Sequence, residues 1–364
     1  MELIHGRDAV PAARKEAMFY CGLDLAGLSS YGYVTDDAGR KQWSGPVETS
    51  RAALEERLRP WAKKGLSVAI EAGNQTAWIY ELLVRLGAKV TVVNPNKVKL
   101  IAESRKKTDK VDAKILCELL RLGGLPEPVH MPGRETRALR GLLVARRQLV
   151  AARTKVCNVV RGLLRQEGTR LPANALSSFV GWRRLLEQGF EQEHLAVIVA
   201  SYFATFQSLM KSIRALEQEL SAKEKQDTRA KRLQTMPRVG RIASLTFIAA
   251  VDNVQRFPSS RKLVSYSGLA PTVRSSGERT EYGAISREGR RELRGVWVQI
   301  AHLVAIDRSA ATQPLRRWYE RVAQRRGKKT ATVALARRLL AIAYQLLRHQ
   351  VDYDVGRLKK RRAA

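Results

Sequence analysis

Apolar positions in the first third of the chain come as short runs separated by stretches with helical spacing. Met18 to Leu23, Tyr31 to Thr35, Leu66 to Ile70 and Lys89 to Val93 read as strands, and Gly39 to Trp43 as another after the Asp36-Asp37 turn. Arg51 to Trp61, Trp78 to Leu86 and Lys110 to Leu122 carry apolar residues three and four apart. Buried-type strands alternating with helices predict an α/β domain over residues 18–125.

Gly123-Gly124 and Pro126, Pro128 and Pro132 then break the pattern. Residues 133–228 are predicted to be almost wholly helical. Leu142, Ala145, Leu149, Ala152, Val156, Val159 and Leu163 form one heptad seam, and Val199, Tyr202, Phe206, Leu209, Ile213, Leu216 and Leu220 another. Such seams are the signature of a coiled coil, paired within the chain as an antiparallel hairpin or between chains. Leu171-Pro172 to Gly189 interrupts them.

Residues 229–350 form a third, mostly α region. Met236 to Gly240 makes a turn before an apolar helix, Ile242 to Val251, resembling a helix-hairpin-helix element whose backbone amides face a DNA phosphate. Ser265 to Glu281 reads as loop, and helices are expected at about 287–306, 314–325 and 329–348. Residues 1–17 are an extension of no assigned role, and 351–364 a basic tail.

Charge changes the picture. The 364 residues include 66 Lys and Arg against 34 Asp and Glu, a net +32, spread along the whole chain. A distributed excess favours a nucleic-acid partner, since each neutralised phosphate releases counterions. A solvated or ribosome-associated basic surface is the plainer alternative. With 45% hydrophobic residues, a wholly disordered tail protein is excluded. Cys21, Cys117 and Cys157 are too few and too scattered for a disulfide framework or a zinc site. No secretory signal is expected and no apolar run long enough to cross a bilayer. The reading is a cytoplasmic protein of a bacterial-type cytosol, associated with the nucleoid when active and with no membrane partner.

In so basic a chain the acids carry weight. Asp24 closes Phe19 to Leu23 and Glu71 closes Ser67 to Ile70, both at the carboxyl ends of predicted strands, where open α/β sheets place functional groups. Asp109 and Asp112 lie three apart at the start of a predicted helix, on one face. Four such carboxylates suffice to hold two Mg²⁺ ions for phosphoryl transfer. Individually, Asp109 also suits a helix N-terminus and Asp24 a turn.

Gly22-Leu23-Asp24, Ile70-Glu71-Ala72-Gly73, Val93-Asn94-Pro95 and Lys107-Thr108-Asp109-Lys110-Val111-Asp112-Ala113 resemble the N-terminal domain of the DEDD transposases of insertion-sequence family 110, which includes the bridge-RNA-guided recombinases. Pro237 to Gly240, Ser267-Gly268-Leu269-Ala270-Pro271 and Ser275-Ser276-Gly277 resemble that family's C-terminal transposase domain. The chain departs from the family pattern at Ala26-Gly27, where a Ser-Lys pair is common, and at Ala72-Gly73-Asn74, where Ala-Thr-Gly is common.

The resemblance implies an RNase H-like (RuvC-like) first domain, followed by a helical coiled-coil region and a mostly α C-terminal transposase domain. It implies that Asp24, Glu71, Asp109 and Asp112 bind the metal and that Ser276 is the nucleophile, with adjacent Ser275 the alternative register. It further implies DNA as substrate, a structured guide RNA as partner, and a homo-oligomer, dimer or tetramer, joined through the coiled coil. Arg105, Lys106, Lys107, Arg238, Arg274, Arg279 and Arg287 are the candidate nucleic-acid contacts, Arg being suited to bidentate phosphate binding. The competing functions are an RNase H-like Holliday-junction resolvase and a non-enzymatic nucleic-acid-binding protein.

Overall fold

In the computed structural model, which describes residues 19–101, 108–276 and 279–356, the chain divides after Met131 into two units. The first opens with β1 (Phe19–Asp24), β2 (Ser29–Asp36), β3 (Lys41–Glu48), α1 (Arg51–Ala62), β4 (Leu66–Glu71), α2 (Thr76–Arg85), β5 (Lys89–Val93), α3 (Pro95–Ile101) and α4 (Asp109–Arg121). The strands form one mixed sheet in the order β3-β2-β1-β4-β5. β1 and β2 pair antiparallel, as do β2 and β3, whereas β4 runs parallel to β1 and to β5.

Both faces of this sheet are covered, so its central strands are apolar on both sides. Cys21, Leu23, Val34, Val68 and Ile70 pack with Leu54 and Leu58 of α1 and Ile79, Leu82 and Leu83 of α2. Alternate positions face the other way. Tyr20 and Tyr33 meet Ala113 and Cys117 of α4, and Ala69 meets Leu116. Side-chain oxygens start two of the helices: Ser50 accepts from the Ala53 amide and Thr108 from the Val111 amide.

The second unit is largely helical. Two long helices, α5 (Arg134–Gln166) and, after the short α6 (Phe179–Glu187), α7 (Glu193–Gln226), pack together. Their direction is antiparallel: Arg146 pairs with Glu217 at 2.6 Å, Arg153 reaches Met210, and Gln192 donates to Glu167. The heptad row Val199, Phe206, Ile213, Leu220 is buried, while the intervening Tyr202, Leu209 and Leu216 are half-buried. On α5 the buried residues are Leu139 near its start and Val156, Cys157, Val160 and Leu164 in its last turns. There α6 closes the pair, with Trp182 against Phe206 and its indole N–H donating to the Leu176 carbonyl.

The expectation of no membrane-length apolar run is overturned by α7, which among the described residues is the one helix long and apolar enough to cross a bilayer. Polar residues between its heptad positions had masked that length. Cys21, Cys117 and Cys157 are free and buried.

The remaining helices are α8 (Thr228–Gln234), α9 (Arg241–Val251), α10 (Ser260–Tyr266), α11 (Arg291–Ile306), α12 (Gln313–Arg326) and α13 (Lys328–Arg348). Their core centres on α9, buried from Ala243 to Val251, with Phe247 edge-on to Trp297 of α11. Between α10 and α11 stands an antiparallel hairpin of β6 (Pro271–Ser276) and β7 (Arg279–Ile285). This corrects the reading of Ser265 to Glu281 as loop. Among its described side chains Ile285 packs against the core, whereas Val273 and its cross-strand partner Tyr282 are 55% and 72% exposed, so the ribbon has no apolar alternation to show.

Candidate active site

A glycine sets where α4 lies against the sheet. α4 lies directly on β1 at Gly22, where an added β-carbon would come within 2.0 Å of the Ala113 carbonyl oxygen and 2.5 Å of the Cys117 amide nitrogen. The Cys117 thiol donates to the Tyr20 carbonyl at 3.3 Å and shares a hydrogen bond with the Thr35 hydroxyl. These contacts hold the first turn of α4, with Asp109 and Asp112, beside the end of β1.

Asp24 follows Gly22 by two positions and therefore shares its face of the sheet. Glu71 follows Ala69 by two and shares that same face. Leu23 stands opposite Ile70 in the parallel pairing, so the two strands end side by side with their acids. Asp24, Glu71 and Asp112 are half-buried and Asp109 is exposed. The Asp24 carboxyl is held above its ordinary range, chiefly by burial and then by the negative charges of Asp109 and Asp112, with the Leu25 amide opposing. The loop after Glu71 is fixed by Thr76, whose hydroxyl donates to the Glu71 carbonyl and accepts from the Gly73 amide.

Three elements thus bring four carboxylates to one face. Oxygen donors of this kind suit a hard divalent cation. Among the described residues, no group of three or more His, Cys, Asp and Glu closes into metal-binding geometry.

In the second unit, Ser276 is the last residue of β6, opposite Arg279 of β7, at the tip of the hairpin. Ser275 precedes it, opposite Thr280, and Gly277 lies outside the described residues. The base of the hairpin is tightly held. Gly268 and Gly289 adopt positive φ (70° and 102°), and β-carbons there would meet the Glu288 and Tyr266 carbonyl oxygens at 2.2 Å. The Arg287 amide donates to the Gly268 carbonyl and the Ser286 amide to the Ala270 carbonyl. Arg294 donates to the carbonyls of both Ser267 and Arg287. Arg294 was not among the expected site residues, and nothing in its local sequence separates it from the many other arginines.

The candidate nucleic-acid contacts scatter. Arg274 and Arg279 belong to the two strands of the hairpin, and Arg287 is exposed at its base with φ 59°. Arg238, in the turn before α9, has φ 64° and donates to Asp307 at 2.7 Å. Its guanidinium is engaged, and Asp307 is held well below the usual carboxylate range by that bond and by the Ser309 amide. Arg105, Lys106 and Lys107 lie outside the described residues.

Residues 21–168 match the transposase family of the DEDD type of IS110, and residues 230–319 match the transposase IS116/IS110/IS902 family. The transposase for insertion sequence element IS1111A of Coxiella burnetii is 27% identical over 87% of this chain and 88% of its own. A probable family 20 transposase of Pseudomonas aeruginosa is 29% identical, over 79% of this chain and 86% of its own. The pilin gene-inverting protein of Moraxella bovis is 26% identical over 73% of this chain and 74% of its own. The two matched families cover both the sheet that carries the acids and most of the region around the serine hairpin, and the chain belongs to the IS110 family of DEDD transposases, enzymes that cut and rejoin DNA strands.

Proposed function

We propose that Asp24, Glu71, Asp109 and Asp112 are the cation-binding carboxylates of an RNase H-like (RuvC-like) domain, and that Ser276 is the nucleophile that cuts DNA. The observation that carries this reading is the convergence at the end of β1, where Asp24 faces the like charges of Asp109 and Asp112. A carboxyl whose pKa is raised by burial and by neighbouring negative charges marks a site short of positive charge. The strand order, three antiparallel strands followed by two parallel ones, supports the RNase H-like assignment. Bound Mg²⁺, two ions in this reading, would supply charge stabilisation for the attacking and leaving oxygens.

The chain's own part is to present the serine. The Ser276 oxygen forms a bond to phosphorus, the bond from phosphorus to the 3′ oxygen breaks, and the 3′-hydroxyl leaves with the proton. The 5′-phosphoserine link conserves bond energy, so another strand's 3′-hydroxyl can displace the serine without ATP. The hairpin base, clamped by Arg294, would hold the strand that ends in Ser276.

In this reading residues 133–228 join protomers into a dimer or tetramer, and the acids of one copy act with the serine of another. Tyr202 and Leu209 already pack against the chain's own core, and assembly would cover what remains exposed of the half-buried row Tyr202, Leu209, Leu216. α7 is then a packing helix of a protein working on the nucleoid. A structured RNA would choose the target by base pairing, leaving the protein to read backbone and shape. The name of the Moraxella relative, an inverter of a pilin gene, supports recombination over simple cutting. The test is a protein–DNA adduct that survives denaturant and disappears with Ser276→Ala.

A further inference from the structure

We propose that a polar hollow at the C-terminal end of α5 binds a phosphodiester group of a nucleic-acid strand. The hollow, about 370 Å³, is lined by Arg161, Arg165, Thr169, Arg170 and Leu171. Arg161 and Arg165 are one helical turn apart on the same face. Gly168, at φ 77°, turns the chain so that Thr169 and Arg170 fold back beside them. No carboxylate lines the hollow, and none of the three arginines has an ion-pair partner among the described residues. Glu167, in the same turn, is held instead by Gln192.

Capping of α5 does not explain the cluster. The last carbonyls already have backbone partners: Leu163 from the Glu167 amide, Leu164 from the Thr169 amide and Arg165 from the Gly168 amide. Arg161 donates to the Ala173 carbonyl, yet its Nε is buried without any partner. A buried donor left open costs free energy, and the side chains of Arg161, Arg165 and Arg170 line the hollow where an anion would meet them. Guanidinium forks bind phosphate oxygens in pairs, and the Thr169 hydroxyl adds a further donor. In a DNA-processing chain of net charge +32, the abundant anion of this shape is a backbone phosphate. The site is independent of the serine and of the acidic cluster.

The experiment uses the full chain with two probes, a duplex DNA and a structured RNA hairpin, and reads affinity by fluorescence anisotropy across a salt series. Arg165→Gln with Arg170→Gln is compared with Lys63→Gln with Lys64→Gln, which removes the same charge from an exposed part of the first unit. The arginine pair should lose several-fold in affinity for at least one probe, and its log–log salt slope should shrink by about 1. The lysine pair should do neither. Arg165→Lys, which keeps the charge but not the fork, should lose affinity with the slope unchanged. Loss confined to DNA or to RNA identifies the strand that supplies the phosphate, and loss with both means that either strand can occupy the hollow. Equal loss in the two double variants, or no loss for either probe, overturns the proposal.

Discussion

Gly22 and Ala113 touch backbone to backbone, and this contact sets how close the first acid of the cluster comes to the last two. Asp24 lies two residues beyond the glycine, and Asp112 directly precedes the alanine. Gly22→Ala must push α4 off β1, since the obstruction is main chain and cannot rotate away. We expect a loss of about 1–3 kcal/mol in stability, as for overpacking elsewhere. Transposition should fall further than stability alone explains, because Asp109 and Asp112 move away from Asp24. Denaturant melts together with a strand-transfer assay check this. Wild-type stability with wild-type activity would mean that α4 does not position the acids.

Asp24→Asn separates the cost of the carboxylate from its use. A carboxyl raised in the folded state contributes stability below its unfolded pKa, about 3.9, and that contribution is lost as pH rises through the folded value. At neutral pH the metal-free protein therefore carries a penalty that the amide removes. In chelator, Asp24→Asn should melt on the order of a few degrees higher than wild type. Mg²⁺ should raise the melting temperature of wild type and leave the variant unmoved, while nucleic-acid affinity stays close to that of wild type. An equal rise in both proteins contradicts a cation site at Asp24.

Much of this architecture was legible because burial imposes period. Central strands such as Leu66 to Ile70 and helices such as α4 show their apolar residues at the spacing their surroundings require. The third strand was seen only at its start and runs on to Glu48, since an edge strand exposes polar residues that resemble a loop. The hairpin of β6 and β7 escapes the sequence for the reason visible in Val273 and Tyr282: exposed strand positions are under no demand for an apolar period. Asp24 and Glu71 were legible as strand ends, but the role of Gly22 required knowing which helix lies over it. The heptads of α5 and α7 announce a seam without naming its partner, and the structure shows the two helices packed on each other, with Arg146 paired to Glu217 across them. Arg238 looked like a free DNA contact because Asp307 lies 69 residues away in sequence.

The seam offers a way to separate folding from assembly. Ile213 is buried between α5 and α7, so Ile213→Glu places a charge in the chain's own interior and should cost several kcal/mol. Leu209 is half-buried in the alternate row, at the edge of the chain's own core, so Leu209→Glu should cost less than Ile213→Glu and leave the helical circular dichroism signal in place. If that row joins protomers, the Leu209 variant sediments as a smaller species and loses strand transfer. Sedimentation identical to wild type would remove this face from the assembly.

Asp307 links acid stability to the turn before α9. Its carboxylate binds Arg238 and Ser309, so its folded pKa lies below the unfolded one. The stability it contributes is present above about pH 3.9 and is lost as pH falls toward the lowered folded value. Asp307→Asn should lower the melting temperature at pH 7, and the difference from wild type should narrow as the solution is taken below about pH 4. A difference that stays constant over that range would place the effect outside the ion pair.

The central claim is that Ser276, rather than water, attacks the DNA. The two nucleophiles leave different products: water leaves free ends, and serine leaves the protein joined to a 5′ phosphate. The decisive measurement is denaturing electrophoresis of the full chain with DNA that carries its cognate sites, including a suicide substrate, and with any required RNA supplied. Wild type and Ser275→Ala should give an adduct resistant to denaturant, and Ser276→Ala none. An adduct lost in Ser275→Ala but kept in Ser276→Ala would move the nucleophile by one residue and preserve the chemistry. DNA cut by wild type with no adduct on the suicide substrate would contradict the account and favour a hydrolytic enzyme such as a junction resolvase.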